Sequence, residues 1–87
     1  MTRYELQVTD YAFTSDADAE RAGAFHVASR HTSVLALRRA YRRAWRWRHP
    51  QQHCWTGNVQ IVRESDRRIM LLEHGDLHAT EHESLEY

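Results

Sequence analysis

The 87-residue sequence predicts an α+β fold in which an antiparallel sheet of three to four strands, in the order β-β-α-β-β, carries one amphipathic helix across one face. Three observations predict it. Residues 32–48, TSVLALRRAYRRAWRWR, keep an unbroken helical period that gathers Val34, Leu37, Ala40, Tyr41, Ala44 and Trp45 on one face. Short segments on both sides of it alternate apolar and polar residues, the period of a half-buried strand. A chain of this length buries only about 60–65% of the surface its unfolded form exposes, enough for one core layer.

In order along the chain, residues 3–8 (RYELQV) place Tyr4, Leu6 and Val8 on one side of a first strand. The alternation changes phase at Thr9 and Asp10, since Tyr11 and Phe13 fall on the other parity, so a bulge or the strand's end belongs there. Residues 14–23 are acidic and small. They predict a loop or one helical turn capped by Ser15 and ended by Gly23. Residues 24–29 (AFHVAS) predict a second strand with Phe25 and Val27 on one face. The helix follows, with Thr32 or Ser33 as N-cap and Pro50 ending it. Residues 58–63 predict a third strand with Val59 and Ile61 inward, residues 64–67 a polar turn, and residues 68–74 an apolar fourth strand closed by Gly75. Residues 1–75 thus read as the domain, and residues 76–87 as a loosely held acidic, histidine-rich tail. The sheet face opposite the helix is left partly exposed, available to a partner or to a second copy in a homodimer.

Composition narrows the class. Cys54 stands alone, which excludes an internal disulfide, and no stretch approaches the ~20 apolar residues of a membrane helix. The N-terminus has no apolar run. A cytoplasmic chain without a membrane partner is the expectation. The formal net charge is zero, but the charges are segregated: residues 31–53 hold six arginines and no acid, residues 5–20 five acids and no base, and residues 76–87 four acids and no arginine. All twelve basic residues are arginine, a usage that a GC-rich genome explains without recourse to function.

The helix carries the strongest functional signal. Opposite its apolar face lie Arg38, Arg39, Arg42, Arg43 and Arg46, with no acid at i±4 to relieve their repulsion. An anionic partner, neutralisation by the acidic tail, or plain solvation would each account for them. Trp47 and Trp55, near the end of the arc, suit base stacking, a partner's pocket, or packing at the rim of the core. Other chemistry has thin support. His74, His78 and His82 recur every four residues, but Gly75 breaks the helix that would align them, and His49, His53 and Cys54 lack a paired ligand motif, so no metal or other cofactor is expected. Cys54 and His53 are neighbours in sequence and point apart, and no glycine-rich phosphate loop is present, so no enzyme is expected.

Over about residues 24–75 the chain resembles a group of small phage and prophage proteins that includes certain type I anti-CRISPR inhibitors. The shared features are a polar opening to the helix at Ser33, the basic doublet and alanine Arg38-Arg39-Ala40, Cys54-Trp55 before Gly57, the pair Val59 and Ile61, and the returning strand from Ile69 to Leu72. The resemblance implies a non-enzymatic inhibitor, acting in the host cytoplasm, that docks on backbone subunits of a CRISPR surveillance complex and blocks pairing of target DNA. By the same resemblance Arg38, Arg39 and Trp55 make the contacts. The helix here is longer and richer in arginine, and the tail is acidic. A nucleic-acid-binding module using the same arginines on phosphates is the alternative.

Overall fold

In the computed structural model, which describes residues 1–51 and 54–84, the chain runs β1 (Tyr4–Val8), α1 (Asp16–Arg21), β2 (His26–His31), α2 (Val34–Arg48), β3 (Val59–Arg63), β4 (Arg68–Glu73) and β5 (Asp76–Glu83). All neighbouring strands are antiparallel, and the sheet order is β2-β1-β3-β4-β5. The α+β class, with α2 packed on an antiparallel sheet, is as the sequence predicts. The number and order of strands are not, for there are five; the helical turn expected within residues 14–23 is α1, capped by Ser15 and followed by Gly23 at positive φ.

The core lies between α2 and one sheet face. Leu6 sits opposite Ile61 and Val8 opposite Val59, and with Met70 these side chains close around Leu37, which is completely buried. Tyr41, Ala40 and Ala44 pack at the margin, as do Leu72 and Leu77 from β4 and β5. The strand expected at residues 24–29 is found at 26–31, and in its pairing with β1 a register irregularity between Leu6 and Gln7 leaves Ala28 as an extra β2 residue. β1 ends where its alternation changes phase. There the Thr9 hydroxyl accepts from the Asn58 N–H and donates to the Tyr11 carbonyl, both at 2.8 Å, stapling the turn to the start of β3.

The main correction concerns residues 76–83, read from sequence as a loose tail. They are β5, an eight-residue edge strand. His74 and Gly75 both adopt positive φ, 50° and 86°, between the paired Glu73 and Asp76, the geometry of a two-residue hairpin turn. The turn folds the segment back so that Leu77 faces Leu72. The opposite sheet face is also less open than predicted. α1, capped by Ser15, lies against it with Ala19 fully buried, and Glu20 accepts from Gln60 at 2.6 Å and from Ser84 at 2.8 Å. Among the described residues no helix is long and apolar enough to cross a membrane.

Candidate functional site

The site is built on α2. Ser33 caps it by accepting from the Ala36 N–H at 3.2 Å, satisfying one of the donors that a helix start leaves orphaned. Leu37, Tyr41 and Ala44 turn one face to the sheet, and the sequence-predicted Val34 and Trp45 lie at its rim, 41% and 42% exposed. Arg39, Arg42, Arg43 and Arg46 stand in solvent as the period requires. Arg38 departs from that arc. Its guanidinium is half-buried over the β4–β5 turn, so close that a Cβ on Gly75 would meet its Nη2 at 2.8 Å. Arg48 is held too, its Nε donating to the Thr9 carbonyl at 3.3 Å.

The pairing of the arginines divides the molecule. Arg3, Arg30 and Arg67 form a chain with Glu64 and Glu5, Arg21 pairs with Asp18, Arg63 with Asp66 and Arg68 with Glu83. Every arginine outside α2 therefore has a carboxylate partner, and among the described residues none of those on α2 has one. Among residues 76–83, Glu83 pairs with Arg68 along the sheet, 3.5 Å away, and no acid forms an ion pair with an arginine of α2; Glu86, the remaining acid of residues 76–87, lies outside the described residues. Burial pushes the Glu5 carboxyl up, but hydrogen bonds from Gln7 and Arg67, with the charges of Arg67 and Arg30, outweigh it and hold the group below its usual range.

Beside the arginine arc an open groove of about 870 Å³ runs between α2 and the β2 side of the sheet. Leu6, Ala40, Ala44 and Ser29 line its deeper part, and Arg39, Arg43, Arg46 and Trp47 its mouth. Trp47 is 79% exposed, two turns beyond Arg39 and one beyond Arg43 on the same flank. On the other flank Tyr41, Trp45, His49 and Trp55 form an aromatic row. Trp45 and His49 stack with centroids 3.7 Å apart, and Trp55 meets His49 edge-on at 4.8 Å. Trp55, the aromatic of the sequence resemblance, thus belongs to this row and lies apart from the groove. The i, i+4 spacing of Arg39, Arg43 and Trp47 was readable in advance. The contribution of Ser29 was not, because it depends on β2 lying beneath the helix.

Among the described residues the other candidate chemistry is not assembled. Among the described residues no three of His, Cys, Asp and Glu converge as metal ligands. His74 is in the turn, and His78 and His82 lie on the extended β5, where four residues span about 13 Å. Cys54 is exposed, and His53 lies outside the described residues. No protein-family model, curated protein or solved structure matches the chain, so the arginine face and the groove are the observations from which a function is argued.

Proposed function

We propose that the chain is a non-enzymatic binding protein that docks the arginine face of α2 on an anionic partner. In the form implied by its sequence resemblance, it is a stoichiometric inhibitor seated on the backbone subunits of a CRISPR surveillance complex, where it blocks target DNA. One observation carries the reading: the arginines of α2 alone lack carboxylate partners among the described residues, although the chain has as many acids as bases. Four like charges within two turns repel one another, and a partner's charge relieves what the fold leaves uncompensated. Arg39, Arg42, Arg43 and Arg46 make the contact. Trp55 extends it on the far flank, and Arg38 supports it from beneath.

The deciding experiment is capture of partners from cells carrying a type I surveillance complex, with and without nuclease. Recovery of the complex by the wild-type chain, resistant to nuclease and lost in Arg39→Glu with Arg43→Glu while the fold persists, is the expected result. Recovery unchanged by the double substitution removes the arginine face from the mechanism. A second reading, direct binding of nucleic acid, is favoured by the groove and by the exposure of Trp47 at its mouth.

A further inference from the structure

We infer that the groove between α2 and β2 is a binding site for single-stranded nucleic acid, with Arg39, Arg43 and Arg46 on the phosphates and Trp47 stacked on a base. This rests on the reading that the arginines of α2 receive an anionic partner, and names the ligand class. The charge complementarity is one-sided. Five arginines, Arg39, Arg42, Arg43, Arg46 and Arg48, line a groove of about 870 Å³ that contains no carboxylate among its lining residues. Arg39 and Arg43 are one turn apart, about 6 Å along the helix, so they can follow consecutive phosphates of an extended strand.

Trp47 decides between anionic ligands. A tryptophan 79% exposed at the mouth of a basic groove gains most from a flat, apolar-faced partner, and the base of an unpaired nucleotide is one. In a duplex both faces of each base are already stacked, and the indole has nothing to cover. The charges of an acidic peptide would pair with the arginines but do nothing for the indole, which only an apolar or flat group of the ligand can cover. With the arginines engaged on phosphates, the lining leaves a single neutral polar side chain, Ser29, to read base edges. Binding is therefore tolerant of sequence, since every base has a π-face.

The test is fluorescence anisotropy with labelled 10-nucleotide single strands of DNA and of RNA, and the matching DNA duplex, across a salt series. Single strands bind at least tenfold more tightly than the duplex. Trp47→Ala weakens single-strand binding by roughly five- to hundredfold and leaves the salt slope unchanged. Arg43→Ala lowers the log–log slope by about 0.7. Arg21→Ala, on the far side of the sheet, changes neither, and circular dichroism of each variant checks the fold. The DNA and RNA arms distinguish the two sources of the strand. Duplex binding as tight as single-strand binding, or affinity indifferent to Trp47→Ala, overturns the assignment. If the strands do not bind and a nuclease-resistant protein partner is still captured, the groove assignment fails and the docking reading stands. If neither partner binds, both fail.

Discussion

Gly57 is set by its neighbours. A Cβ there would lie 2.7 Å from the Thr9 carbonyl oxygen and 3.1 Å from Cδ of Arg48. That carbonyl cannot retreat freely, because the Thr9 N–H is bonded to the Asn58 carbonyl at 3.0 Å and Thr56 N–H to the Arg48 carbonyl at 2.8 Å. The junction ties the end of α2 to the end of β1 and the start of β3. Gly57→Ala is expected to cost about 1–3 kcal/mol and to lower the melting temperature by roughly 5 °C or more; an unchanged melting temperature would mean that the junction is loose. At Asp66 the charge matters more than the shape. A hydrogen bond from Arg63 holds its carboxyl at about 2, below the ordinary 3.8, helped by the N–H of Arg68. A carboxyl depressed by folding stabilises the folded chain fully above its unfolded value, and that contribution is lost as pH falls through the folded one. Asp66→Asn should therefore be less stable than the wild type at neutral pH, with the gap closing between about pH 4 and pH 2. A gap constant across that range contradicts the assignment.

Among the elements, α2 was the most legible and β5 the least, for physical reasons. A fifteen-residue amphipathic helix repeats its signal over four turns, so its buried direction is over-determined. How far a small sheet covers it is not, and Val34 and Trp45 therefore lie at the rim. β5 has only Leu77 and Ala79 to betray its alternation, in a segment otherwise polar on both faces, and it becomes a strand because the His74–Gly75 turn returns it to β4. The arginine arc follows from the same helical period. The departure of Arg38 from it does not, since it requires knowing that the β4–β5 turn packs beneath. The orientation of α2 has a direct check. Leu37→Asp places an unpaired charge where nothing is exposed, at a cost of several kcal/mol, and should leave the chain unfolded at 25 °C. Arg43→Ala, which removes only like-charge pairs at the surface, should leave the chain folded and raise its stability by no more than about 1 kcal/mol. Comparable thermal shifts for the two would mean that the helix is rotated.

At the scale of the whole molecule, the acids that form ion pairs among the described residues do so away from α2. They tie β1, β2 and the β3–β4 turn together around Glu5 and Glu64, and fix the edge at Arg68, while the balancing positive charge is concentrated on α2. Such an arrangement costs stability, and the cost can be measured at Arg42. This exposed residue lies four positions from Arg38 and Arg46 and three from Arg39, so Arg42→Glu turns each of those repulsions into an attraction. At surface values of roughly 0.2–0.5 kcal/mol for each repulsion removed and again for each attraction gained, the gain at 10 mM salt is about 1–3 kcal/mol, several degrees or more in melting temperature for a domain of this size. Between 10 and 150 mM salt the screening length falls from about 30 to about 8 Å, so the advantage of the variant should shrink. The ion pairs elsewhere weaken alike in both proteins and cancel in the difference. Capture of the anionic partner should fall in the same variant, since a carboxylate then stands in the middle of the arc. A wild type more stable than Arg42→Glu at low salt would mean that the arginines of α2 are already neutralised within the chain, and the case for an external partner would go with them.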